Sequence, residues 1–380
     1  QLTTDPAEVY ADPRIDVVVE VMGGMEPTLT YVEASIAKGK HLVTANKEIL
    51  SRHGARLLQL AEHHGVHVHF EGAVAGGIPV IHAMSQSLVA NRVRSVLGIL
   101  NGTTNYILTR MTYEEISFEE ALAGAQALGY AEADPTADIE GFDAARKLAI
   151  LGLMAFGTEV PEAMIHRQGI SSVKADDIRH AREMGYRIKL LASGRDNPAG
   201  LEFGVYPALV SERHPLANVN GVFNAVLLNA DPVGELLFLG QGAGGGATGS
   251  AVVADIINVA RNMDYHARHR YPHFVVQDRK IGSPLEAESR FYVRFTIGGR
   301  LNVVSKIVDI LTRLGIGLAS LKQIPAGASS LDLVIVTDQV PQKNLYRAVR
   351  RIEIGVRGAE VANVIRIEER AEENELAGGN

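Results

Sequence analysis

At 380 residues, and roughly 150 residues per domain, the chain carries a prior of two to three domains. Lys and Arg number 37 against 44 Asp and Glu, and a net charge of −7 argues against nucleic-acid binding through bulk charge. Hydrophobic residues at 46% with charged residues at 21% exclude disorder as the main state, and the absence of cysteine excludes disulfides, thiolate metal sites, Fe–S clusters and a cysteine nucleophile.

No apolar run approaches the roughly 20 residues that cross a bilayer; residues 147–157 come nearest. The start, Gln1-Leu2-Thr3-Thr4-Asp5-Pro6, has neither the basic nor the apolar part of a signal peptide and is not Met, so the chain reads as beginning inside a longer protein. A cytoplasmic location fits this composition. Residues 15–22, IDVVVEVM, read as a parallel strand covered on both faces, broken by Gly23-Gly24. A helix over 27–38, a strand over 41–44, a helix over 47–64 and a strand over 66–70 follow, an alternation that predicts βαβ units.

The pattern then changes. A strand over 93–100 leads into NGTTNYIL; helices are predicted over 118–128 and 143–156, and strands over 187–192 and 201–207, with further short strands to Leu239. Residues 240–246 form a glycine-rich loop before a helix over 248–261. Residues 263–288 read as a linker; its His266, His269 and His273, like His63, His64, His67 and His69, lack partners at metal-ligand spacing. Residues 289–370 repeat strand-helix-strand-strand-helix-strand, a split-βαβ unit, and 371–380 are an acidic tail.

Gly240-x-Gly242-x-x-Gly245 matches a dinucleotide fingerprint, and Asp264 follows about 20 residues on. No second strand intervenes, so that acid cannot sit beside a ribose; the loop can still approach an anion through bare helix-start N–H groups. The densest chemistry is at 129–147, GYAEADPTADIEGFDAARK. Asp143 and Lys147 are four apart and share one helix face among Ile139, Phe142, Leu148 and Leu151. A lysine held there by a carboxylate can donate or accept a proton, and Glu132 and Asp138 can hold an ammonium group.

These blocks, with VMGG (21–24), VTANK (43–47), EGAVAGGIP (71–79), GILNGTTNYILT (98–109) and GQGAGGGATGSAVVAD (240–255), resemble the homoserine dehydrogenase family in order over about residues 3–262. Residues 289–370 resemble the ACT domain that many of its members carry. The resemblance implies an α/β fold: a Rossmann-like parallel-sheet cofactor domain (1–75 plus about 244–262, N-terminally incomplete), an α+β substrate and dimerisation domain (76–243), a linker and a ferredoxin-like ACT domain. It implies interconversion of L-homoserine and L-aspartate 4-semialdehyde with NADP or NAD, in threonine, methionine and isoleucine biosynthesis, by a homo-oligomer that is at least a dimer.

Residue by residue, the resemblance makes Lys147 the acid/base and Asp143 its orienting, substrate-binding partner. Glu132 would hold the amino group with Asp138 close by, Thr103 would line the substrate, and Lys47 would meet both substrate and cofactor. Gly129 with Gly242 or Gly244 would line the cofactor; Glu71, Val74, Gly76 and Ile78 would bind structural Na⁺ or K⁺, which all-oxygen ligation suits. Two departures stand out. The family's opening strand, glycine turn and helix lie outside this sequence, and the ACT ligand turn reads Gly299-Arg300-Leu301-Asn302 instead of Asp-Arg-Pro-Gly, which predicts weak or absent threonine binding. The rival expectation is a non-catalytic amino-acid sensor derived from the enzyme; the retained Glu132, Asp143 and Lys147 set argues against it.

Overall fold

The computed structural model describes residues 1–266, 276–298, 302–326 and 330–369. β-branched runs alternating with helices give a small parallel sheet of β1 (Val17–Glu20), β2 (His41–Thr44) and β3 (Val68–His69), in that order. The helices Thr28–Ala37 and Lys47–His64 make the crossovers. Asn46 caps the second: its side chain accepts from the N–H groups of Glu48 and Ile49, and Gly65 ends the helix at φ +68°. Ile49, Leu50, Leu57 and Ala61 form its buried face. Lys47 thereby opens a helix at the carboxyl end of β2, where parallel sheets collect ligands.

The second sheet is large and mixed. It contains β4 (Arg92–Ile99), β5 (His166–Arg167), β6 (Tyr186–Asn197), β7 (Gly200–Ser211), β8 (Phe223–Asp231), β9 (Gly234–Gln241), β10 (Glu288–Gly298), β11 (Leu318–Pro325), β12 (Ser330–Thr337), β13 (Val340–Pro341) and β14 (Ala359–Glu368). Its order is β11-β12-β10-β14-β7-β6-β4-β8-β9, with β5 beside β7 and β13 beside β10. The helices Gly102–Glu114, Phe142–Phe156 and Ala175–Glu183 pack on the β4–β8 portion. Arg146, inside the second of these, donates Nη1 to Glu48 Oε1 at 3.1 Å and so ties the parallel-sheet unit to that helix.

Strands β10, β11, β12 and β14 with the helices Asn302–Arg313 and Gln342–Gly355 realise the expected strand-helix-strand-strand-helix-strand order, around a core that includes Phe291, Phe295, Ile307, Leu345 and Ile352. This unit is joined to the rest of the large sheet. β14 pairs in parallel with β7, Arg366 opposite Ala208 through Glu368 opposite Val210, and Tyr292 and Ile365 belong to the main core. Part of the expected linker is also packed. The preceding helix runs from Gly245 to His266, Leu201 N donates to the Lys280 carbonyl at 2.9 Å, and Gly282 N donates to the Leu201 carbonyl at 2.7 Å. Backbone pairing to the start of β7 outweighs the polar composition that suggested a solvated segment. Residues 267–275, with His269 and His273, and the turn residues 299–301 lie outside the described residues.

The glycine fingerprint falls at the end of β9, which is antiparallel to β8 and outside the parallel sheet. The strand-helix-strand context of a dinucleotide turn is therefore absent there.

Candidate active site

Gly141, at φ +78°, starts the helix Phe142–Phe156, which places Asp143 in its first turn and Lys147 one turn later on the same face. Lys147 Nζ donates to Asp143 Oδ2 at 2.7 Å and to the Leu100 carbonyl, just past β4, at 2.8 Å. Lys47 reaches the other oxygen, Oδ1, from the parallel-sheet unit. Its side chain is 40% exposed against 6% for that of Asp143, so the pair looks outward on the Lys47 side only. Burial by itself would push the Asp143 carboxyl up; the two ammonium groups overcome this and hold it well below the usual carboxylate range.

Asn101 organises the remaining polar groups. Its Nδ2 donates to Asp138 Oδ1 at 2.7 Å and to Asp143 Oδ2 at 3.0 Å, while its Oδ1 accepts from Thr104 N at 2.9 Å and caps the helix Gly102–Glu114. Asp138 is raised above its ordinary value, first by burial and then by the neighbouring Asp143 charge, against the Asn101 hydrogen bond. Thr103 donates Oγ1 to the Tyr130 carbonyl at 2.6 Å, which brings the 129–132 loop to the start of the same helix. Lys47, Asp138, Asp143 and Lys147 thus share one network, direct or through Asn101, with Thr103 at the start of the helix that Asn101 caps. Asn101 itself was not singled out in the sequence; the signal was a cap residue ahead of a helix that was not anticipated.

Glu132 is exposed, and its carboxylate has no polar partner among the described residues. Gly129 follows the helix Phe118–Ala127 at φ +73°, with open space where a Cβ would be. It serves the helix end, since the left-handed region strains residues with a Cβ. The glycine loop closes on the other side. Gly77 N donates to the Gln241 carbonyl at 3.1 Å, and a Cβ at Gly76 would lie 2.7 Å from the Gly242 carbonyl. Gly244, at φ +114°, precedes the helix Gly245–His266.

In the turn after β3, Glu71 is buried and accepts from Ile81 N at 2.9 Å and His82 N at 2.7 Å, while Glu71 N donates to Asp255 Oδ2 at 2.9 Å. Burial pushes its carboxyl up to about 7, against those two backbone donors. Val74, Gly76 and Ile78 follow within the same turn, where Ala75 and Gly76 both take positive φ, 56° and 54°.

The family model described as homoserine dehydrogenase matches residues 79–257, and that described as its NAD-binding domain matches residues 1–71. Homoserine dehydrogenase of Synechocystis sp. is 42% identical over 96% of this chain and 87% of its own length; that of Neisseria gonorrhoeae is 43% identical over 92% and 82%. Among solved structures, a homoserine dehydrogenase from Thiobacillus denitrificans superposes with a TM-score of 0.91 at 41% identity, covering 97% of this chain and 85% of that one. A hyperthermophilic archaeal homoserine dehydrogenase in complex with NADPH gives 0.61 at 28% identity over 69% and 76%. Two family models that together match most of the chain, and relatives 42–43% identical over nearly all of it, show that the chain belongs to the homoserine dehydrogenase family.

Proposed function

We propose that Lys147 is the proton-transferring group of an NAD(P)-dependent homoserine dehydrogenase. The observation that carries this is its ammonium, bound by Asp143 at 2.7 Å and by the Leu100 carbonyl at 2.8 Å in a largely buried setting. A lysine so fixed has one remaining donor direction, and in oxidation of homoserine its neutral form takes the hydroxyl proton; in reduction the ammonium returns it to the alkoxide. Asp143, kept ionised, orients Lys147 and Lys47 and receives polar groups of the substrate. Asp138 and the exposed Glu132 hold the substrate ammonium, with Thr103 beside it. Bound NAD(P) accepts or supplies the hydride at the substrate C4 carbon. Its place is supported by Lys47 at the carboxyl end of β2, by the Gly242–Gly244 loop, and by Gly129 at the rim.

The donor set after β3 suits a monovalent cation. It is all oxygen, and a buried carboxyl pushed up to about 7 gains from a positive neighbour. Glu71 and the carbonyls of Val74, Gly76 and Ile78 would hold Na⁺ or K⁺ and brace the turn against the glycine loop. We further read the C-terminal unit as an ACT-type domain, the enzyme as a cytoplasmic homo-oligomer, and its product as serving threonine, methionine and isoleucine synthesis.

The test is steady-state kinetics of Lys147→Ala. Loss of a positioned proton donor lowers kcat by about 10² or more. Retention of over half the wild-type kcat, with the fold intact by circular dichroism, removes Lys147 from this role.

A further inference from the structure

Asn224 opens the second position of β8 and is 1% exposed, yet neither its Nδ2 nor its Oδ1 has a hydrogen-bond partner among the described residues. Its backbone lies opposite Gly240 of β9, beside the glycine loop. A methyl at Gly242 would fall 1.9 Å from Asn224 Cγ, and one at Gly102 would fall 3.6 Å from Asn224 Oδ1. The carboxamide thus lies against the glycine loop, near the first residue of the helix that carries Thr103, and the missing side chain of Gly242 is what leaves it room. Exchanging its nitrogen and oxygen would change nothing, because both are unmatched. The neighbouring amides are spent: Asn101 on Asp138 and Asp143, Asn105 on the carbonyls of Val219 and Phe223. A buried polar group with every bond unmade is rare in a folded protein and asks for a ligand.

We propose that the Asn224 carboxamide recognises the carboxamide of the nicotinamide ring, an inference that rests on the cofactor position given above. The argument is one of matching. A group with a donor and an acceptor side by side satisfies both Asn224 atoms at once. The substrate carboxylate only accepts, its ammonium only donates, and its hydroxyl is engaged by Lys147. A primary carboxamide carries both. Gly242 lies against Asn224 and opens the run Gly242-Ala243-Gly244-Gly245-Gly246, a segment with no side chain beyond one methyl, so a small shift there opens the amide without dismantling a core. Asn224 is on this view a positioning residue: it fixes the rotation of the nicotinamide carboxamide, and with it the ring face turned toward the substrate.

The experiment measures dissociation constants on the full enzyme and on Asn224→Leu by calorimetry, for NADPH and NADH and for the fragments 2′,5′-ADP and ADP, together with unliganded thermal denaturation. The expected result is dinucleotide binding weakened about tenfold, fragment binding unchanged, and a melting temperature equal or higher, since a buried unpaired amide has been removed. The 3-acetylpyridine analogue, which lacks the amide nitrogen, should lose less affinity on the same substitution. Unchanged dinucleotide binding overturns the proposal, as does equal weakening of dinucleotide and fragment. If Asn224→Leu does not fold, Asn224→Ser is read by the same split. A wild-type enzyme that binds no dinucleotide overturns the cofactor position itself, and with it this inference.

Discussion

Arg294, on β10, donates Nε to Asp177 Oδ1, on the helix Ala175–Glu183, at 2.7 Å, with side-chain exposures of 6% and 0%. The contact joins the C-terminal unit to a helix that packs against Gly102–Glu114, whose first turn holds Thr103. Asp177 also accepts from Tyr292 Oη at 3.1 Å and from Asn363 Nδ2 at 2.8 Å. Removing one partner of a buried pair strands the other charge, whereas removing both need not destabilise. Arg294 also pairs with buried Asp332 at 3.3 Å, so we expect Asp177→Ala to lose about 3–5 kcal/mol of unfolding free energy, and the combination Asp177→Leu, Arg294→Met and Asp332→Leu, which leaves no stranded charge, to recover part of that. Urea denaturation of the three proteins measures it; a loss under 1 kcal/mol for the single variant would remove the pair from any stabilising role.

Glu132 offers a contrast: it is exposed and its carboxylate has no polar partner among the described residues, so the role proposed for it in holding the substrate ammonium can be tested apart from the fold. Glu132→Gln should leave the melting temperature within about a degree, as surface changes usually do, and raise KM for homoserine several-fold with a smaller effect on kcat. A fall in kcat at constant KM would place Glu132 in the chemical step instead.

Lys189, on β6, is buried and donates to the Val219 carbonyl at 2.6 Å, to Asn220 Oδ1 at 3.1 Å and to Asn105 Oδ1 at 3.2 Å. Burial, with Arg187 nearby, lowers its pKa from 10.5 to about 7. Between those values the unfolded chain binds a proton that the native protein does not. Native stability therefore rises with pH across that window, by up to about 1.4 kcal/mol per pH unit, and the penalty is fully present below pH 7. Lys189→Met should flatten the rise. Urea midpoints from pH 7 to 9.5 decide it: equal slopes for the two proteins would show that the three oxygen acceptors keep the lysine charged.

Much of this was readable in the residues. The helix at Lys47–His64 follows from Asn46, an apolar stripe and Gly65, and its bounds coincide with those expected. The Asp143–Lys147 pair follows from helical spacing and apolar flanks. What sequence patterning missed was long-range. NGTT caps a helix whose apolar stripe is interrupted by Asn105, Thr109 and Thr112, so periodicity did not reveal it. The helix Ala175–Glu183 is mostly charged; its burial is bought by Asp177 meeting Arg294, residues far apart in the chain. The pairing of β14 with β7 could not be read either, because strand patterns disclose a face but not a neighbour.

That pairing has a consequence for cooperativity. Arg366, Ile367 and Glu368 supply one continuous ladder from the terminal βαββαβ unit into the sheet beneath the site. Arg366 Nη1 also reaches Glu202 Oε1 at 3.2 Å, and Arg195 pairs with Glu368. Two bodies connected by a tether melt as two events; two bodies that share a sheet and ion pairs lose those contacts when one opens alone, which raises the free energy of the half-open state. We therefore expect the terminal βαββαβ unit and the sheet it joins to melt in one transition, with any ligand that binds the former stabilising the latter by mass action.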